Sequence, residues 1–122
     1  MLGVAVLLLA AACGGQTKYS ADKTRECLKT EDARIKPSKD DFVATTATGG
    51  AFVAQLSDNA VTLAFGQQEE DAKDIQLAYQ RFAFENVRNN ITDVLSRYRN
   101  AVLLWHEHPQ NADLALVTGC LK

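Results

Sequence analysis

From Phe52 to Phe65, apolar and polar or small residues alternate on either side of a polar dipeptide. Phe52, Ala54 and Leu56 alternate with Val53, Gln55 and Ser57. After Asp58-Asn59, Val61, Leu63 and Phe65 alternate with Ala60, Thr62 and Ala64. A period of two on both arms of a short turn predicts a β-hairpin. Pairing about Asp58-Asn59 sets Leu56 against Val61, Ala54 against Leu63 and Phe52 against Phe65, with all six on one face. Beyond Gly66 the period lengthens. Ala72, Ile75, Tyr79 and Phe82 recur at steps of three or four, and Ala83 and Val87 extend the stripe. Glu69-Glu70-Asp71 lies at its head, where the helix dipole favours acidic groups. This predicts a helix from Gln68 to about Asn89-Asn90.

The pattern then repeats. Asn59-Ala60-Val61-Thr62-Leu63 returns as Asn100-Ala101-Val102-Leu103-Leu104, forty-one residues on. Each copy follows a candidate strand and precedes a helical stretch, so two ββα units are expected, over residues 51–90 and 91–121. In the second, Pro109 suits a first helical position, and Ala112, Ala115, Leu116 and Cys120 form a helical face. Ile91, Val94, Leu95 and Tyr98 also keep helical spacing, which leaves one continuous helix as the competing reading. Such a helix would run about 45 Å at 1.5 Å per residue, long for a domain this small, and the second hairpin is preferred. Upstream, Tyr19 to Thr30 reads as a helix capped by Ser20, with Cys27 and Leu28 turned inward. Residues 31–47 are polar and contain Pro37. They read as loop, with a short strand near Arg34-Ile35.

Composition narrows the partners. The chain has 122 residues, 47% of them hydrophobic and 23% charged, with a net charge of −2. This is a globular balance, and the absence of a basic stripe makes nucleic acid an improbable partner.

Met1 to Ala12 is almost wholly apolar and ends in Ala10-Ala11-Ala12, directly before Cys13 and Gly14-Gly15-Gln16. An apolar core closing on small residues reads as an export signal, and twelve residues are too few to span a bilayer, which takes about 20. With the cysteine behind it, the segment resembles the lipobox of bacterial lipoproteins. It departs from that pattern at Ala10, where a larger aliphatic is usual, and in lacking a basic residue near Met1. The resemblance implies a signal over residues 1–12, acylation of Cys13 on its sulfur and amine, a tether over 13–18, and a single domain over 19–122. The Ala-Ala-Ala-Cys-Gly-Gly junction and general composition are similar to small lipoproteins of Gram-positive, actinobacterial type. Two acyl chains anchor a protein stably where one does not. Were Cys13 lipidated outside the cell, Cys27 and Cys120 would remain as a pair in an oxidising compartment, where a disulfide is the default. Two buried free thiols are the alternative.

Candidates for chemistry are few. His106 and His108 share a face of an extended segment, as metal ligands can, but no further ligand stands at a recognisable spacing; no metal is expected, and His108 is read as a cap for the last helix. The carboxylates Asp40-Asp41 and Glu69-Glu70-Asp71 sit in a polar loop and at a helix start, where solvent and the dipole account for them. Gly49-Gly50 lacks the Lys-Ser/Thr of a phosphate loop, and no serine lies in a Gly-x-Ser-x-Gly setting. Neither a cofactor nor catalysis is expected.

The expected fold is a two-layer α+β domain: about four antiparallel strands, helices on one side, and the first helix disulfide-linked to the last. On that arrangement Val94, Tyr98, Leu103 and Trp105 form an apolar strip on the other side. The strip is either a partner surface or is covered by the N-terminal segment. The function expected is non-catalytic: a membrane-tethered extracytoplasmic module, held by lipid at Cys13, that binds a protein or envelope component. An inhibitor or immunity-type protein is one alternative, and a metal enzyme using His106 and His108 is another.

Overall fold

The structure, a computed structural model, describes residues 18–122. The signal expected over residues 1–12, Cys13 and nearly all of the expected tether lie outside the described residues. Helix α1 (Ala21–Thr30) starts at Ser20, whose side chain accepts from the Lys23 amide at 3.2 Å, and it buries Ala21, Thr24 and Leu28. Strand β1 (Arg34–Lys36), a 3₁₀ turn (Ala44–Thr46), β2 (Ala51–Gln55) and β3 (Ala60–Phe65) follow. After β3 come α2 (Glu69–Phe82), the short helices α3 (Glu85–Arg88) and α4 (Ile91–Val94), β4 (Leu95–Tyr98), β5 (Ala101–Trp105) and α5 (Asn111–Gly119). The sheet is antiparallel with order β1-β2-β3-β5-β4. It has five strands rather than four, because Arg34–Lys36 is a full edge strand with Ile35 opposite Ala54.

The first hairpin differs from the expected register by two residues. Phe52 pairs with Leu63 and Ala54 with Val61, across a loop closed by the Leu56 amide donating to the Asn59 carbonyl at 2.8 Å. Asn59 explains the shift. Its side chain is committed to the strand end, accepting from the amides of Ala60 (2.8 Å) and Glu107 (3.1 Å) and donating to the Glu107 carbonyl at 3.0 Å. It is therefore no turn residue. A slip of two leaves every side chain on its original face, so Phe52, Ala54, Val61, Leu63 and Phe65 remain together in the core.

The repeat is real in its asparagines. Asn100 Nδ2 donates to the Gly66 carbonyl at 2.8 Å as Asn59 Nδ2 does to that of Glu107, and Gly66 and Glu107 are also forty-one residues apart. The two carboxamides fasten opposite ends of the central β3–β5 pair. Asn100 also binds both main-chain groups of Tyr19, accepting from its amide at 2.6 Å and donating to its carbonyl at 2.9 Å. Between 91 and 98 the two competing readings divide the segment, with one helical turn to Val94 and strand from Leu95.

The layering differs from expectation. Every residue of β3 and of β5 is buried, which requires cover on both faces. On one face the Arg25 guanidinium of α1 lies 5.0 Å from the Phe52 ring centre. The Cys27–Cys120 disulfide fixes the end of α5 to α1, and the Ser20 amide donates to the Lys122 carbonyl. On the other face Arg97 Nε donates to Gln76 of α2 at 3.0 Å. The sheet is thus the middle of three layers. An odd repeat length explains this. Register pairs Val61 with Trp105 and Ala64 with Val102, so Val61 and its echo Val102 point to opposite faces, and the helices that follow leave to opposite sides.

Two glycines are required where β3 meets α2. A Cβ on Gly66 would overlap Asp71, and one on Gly49 would lie 2.7 Å from the Gly66 carbonyl oxygen. Asp71 uses the space, accepting from the amides of Gln67 (3.0 Å) and Gln68 (3.1 Å) to fasten the start of α2. The core cluster and both bridged cysteines lie within the described residues.

Candidate functional site

The strip expected as a partner surface is not at the surface. Val94, Leu103 and Trp105 are buried, the last at 2% exposure, and Tyr98 is half-buried. Leu103, Trp105 and Tyr98 do share a face, but it is the face carrying α1 and α5, where the disulfide closes the N-terminal segment over the sheet. His106, Glu107 and His108 are exposed, and His108 Nδ1 lies 2.6 Å from Asp93 Oδ1. His108 does not cap α5, which begins at Asn111 behind Gln110, and Pro109 precedes the helix rather than opening it. Among the described residues no cluster of three or more His, Cys, Asp or Glu is placed to hold a metal.

A different site emerges on the α2 face. The stripe of α2 buries Ala72, Ile75 and Tyr79 as expected, but the helix stops at Phe82 and Ala83 turns to extended backbone (φ −62°, ψ 157°). Phe82 leaves the core, 61% exposed, and Phe84 follows at 77%. Opposite them the segment after β1 brings Phe42, 74% exposed, out of an otherwise polar run. Between these walls opens a cleft of about 610 Å³, floored by the sheet at Val53, Thr62 and Leu104. That volume lies within the range of small-molecule sites, roughly 300–1,000 Å³. Isolated exposed apolar side chains are ordinary, whereas a cluster bordering a concavity is not. Among the described residues four large hydrophobic side chains are exposed, and three of them, all but Leu77, line this one cleft.

Two of its polar groups are fixed against each other. Tyr79 Oη donates to Asp41 Oδ2 at 2.7 Å, and Asp41 Oδ1 accepts from the Ala44 amide at 3.0 Å. The bond ties α2 to the segment that forms the opposite wall. Burial, then the Asp41 charge, then this hydrogen bond, drive the Tyr79 phenol far above its ordinary value of 10.0, so it holds its proton. Lys36, Asp40 and His106 stand at the mouth, exposed. Thr62 on the floor is 3% exposed, and its hydroxyl bonds to no described residue.

Sequence reasoning reached some of these residues without assembling them. Asp41 was visible as half of a carboxylate pair, Tyr79 and Phe82 as helix positions, and Thr62 as a strand position. Phe42 and Phe84 carried the missed signal: one bulky aromatic in a polar loop, and another just past the end of an apolar stripe. Compared with family models, curated proteins and solved structures, the chain matches none.

Proposed function

We propose that the chain is a lipid-anchored extracytoplasmic binding module, tethered through Cys13, whose cleft between Phe42, Phe82 and Phe84 receives a protein or cell-envelope component. The clustering of three solvent-facing phenylalanines around one concavity carries the reading, since each costs hydrophobic free energy while uncovered. Placement adds support. Tyr19, where the tether enters, is bound to Asn100, which also binds Gly66 just ahead of α2. The cleft lies at the other end of that helix, whose 14 residues span about 21 Å. An anchor at Cys13 therefore leaves the phenylalanines clear of the membrane. Within the cleft the Tyr79 phenol serves as a hydrogen-bond donor to Asp41, its proton held chiefly by burial.

Two measurements test the reading. Cells making the full chain should incorporate palmitate into it and retain it in the membrane fraction, and Cys13→Ala should abolish both. A photo-crosslinking residue at position 84 should trap a defined envelope component that the same residue at Lys23, on α1, does not. An unlabelled chain, or equal trapping from both positions, sinks the proposal.

A further inference from the structure

We infer that the cleft takes a neutral or cationic amphiphile, its apolar body against Phe42, Phe82 and Phe84 and a hydrogen-bond-donating head at Thr62, Tyr79 and Asp41. This rests on reading the cleft as the binding site and adds the chemical class of what enters it. The walls supply the body's environment: Phe42, Phe82, Phe84, Val43, Val87 and Leu104 are apolar and converge on one concavity. The floor supplies the choice of head.

Of the side chains bearing oxygen that line the cleft, Asp40 and Asn86 are exposed and Ser38 half-buried, and the head assignment rests on three others, Asp41, Tyr79 and Thr62. Asp41 is a carboxylate that already accepts from Tyr79 Oη and the Ala44 amide and has lone pairs left. Tyr79 Oη spends its one proton on Asp41, leaving it only able to accept. Thr62, nine-tenths and more buried on the cleft floor, has a hydroxyl with no bond to any described residue. Asp41 and Tyr79 offer only acceptors, Thr62 can both accept and donate, and Asp41 brings the negative charge that discriminates between heads. A head that donates, such as a hydroxyl, amine or amide N–H, is matched. A carboxylate or phosphate head brings no donor and would sit beside Asp41 in a partly desolvated place, where like charges repel strongly. Lys36 stands at the exposed mouth, where solvent and salt screen its charge, so it offsets little of the charge of the half-buried Asp41.

The test uses the segment from Lys18 to Lys122, which holds the core cluster and both bridged cysteines, and three ligands of equal chain length. Decylamine, decanol and decanoate are titrated calorimetrically at neutral pH below their micelle concentrations. Decylamine and decanol should each bind at one site, with decanoate at least about tenfold weaker. Thr62→Val, which keeps shape and removes the hydroxyl, should weaken decanol about fivefold, the scale of one hydrogen bond. Asp41→Asn should narrow the gap between decylamine and decanoate. Phe84→Ser should weaken all three. Decanoate binding as tightly as the other two, or Thr62→Val and Asp41→Asn leaving the preference unchanged, overturns the head assignment while the cleft stands as an apolar site. Failure of all three chains to bind overturns the cleft itself.

Discussion

The two faces of the sheet use neighbouring residues of the same strands and are finished in opposite ways. On one, Phe52, Leu63, Phe65, Leu103 and Trp105 are sealed under α1 and α5, and a disulfide spanning 93 residues of sequence locks the cover. On the other, Ala64 and Val102 are buried on the face that carries α2, but that helix ends at Phe82, and Thr62 and Leu104 are left flooring a cleft rimmed by aromatic rings. The first face is spent on stability and the second keeps apolar surface in reserve. Alternation along a strand makes the division possible, because successive side chains serve different layers.

The largest expected effect lies on the sealed face. Removing a crosslink that closes so long a loop costs about 4–5 kcal/mol in the chain-entropy model, less where the reduced chain keeps structure. Chemical unfolding with and without reductant measures it. The Cys27→Ser, Cys120→Ser double variant should behave as the reduced protein does, and an unchanged midpoint would show that α5 is held by packing alone.

Next comes a direct contrast between the faces. Trp105→Ala should cost about 3–5 kcal/mol, the usual range for emptying an aromatic site in a packed core. Phe84→Ser, removing an aromatic ring at the cleft rim, should change stability by less than about 0.5 kcal/mol. Unfolding midpoints of the two variants decide it; comparable losses would mean that the rim is part of the core.

Asn100→Ala follows, with about 1–3 kcal/mol for buried main-chain groups left without partners. It should cost more than Asn59→Ala, because Asn100 also holds Tyr19 and with it the entry of α1. Hydrogen exchange should show α1 opening earlier in the Asn100 variant only.

The sealed face was the more legible in the sequence. Alternation from Phe52 to Phe65 marks both strands, the Asn-Ala-Val echo marks the second hairpin, and an even cysteine pair, once Cys13 is set apart, implies the bond that the structure contains. What escaped was whatever depends on a third element. The layering turned on the parity of a forty-one-residue offset, visible only once Val61 is known to face Trp105. The hairpin register turned on Asn59 reaching Glu107, forty-eight residues away. The cleft escaped for a related reason: Phe82 keeps helical phase with Tyr79, and periodicity cannot show that the layer beneath it has run out.

The smallest effect concerns the Tyr79–Asp41 bond, which joins the walls of the cleft. Tyr79→Phe deletes the hydroxyl that donates to Asp41 and should cost about 1 kcal/mol near neutral pH. The Ala44 amide still satisfies part of the carboxylate. The pH dependence distinguishes this loss from simple loosening. Below an ordinary phenol value of 10.0, Tyr79 is protonated both folded and unfolded, so its titration contributes nothing. Above that value the unfolded chain releases the proton while the buried phenol keeps it. The folded state then binds more protons, and stability falls as pH rises. The variant has no phenol there to titrate, so its deficit should shrink between pH 9 and 11, as followed by urea midpoints. A deficit that stays constant across that range would mean that the folded phenol gives up its proton as readily as an unfolded one, so that burial and Asp41 do not hold it.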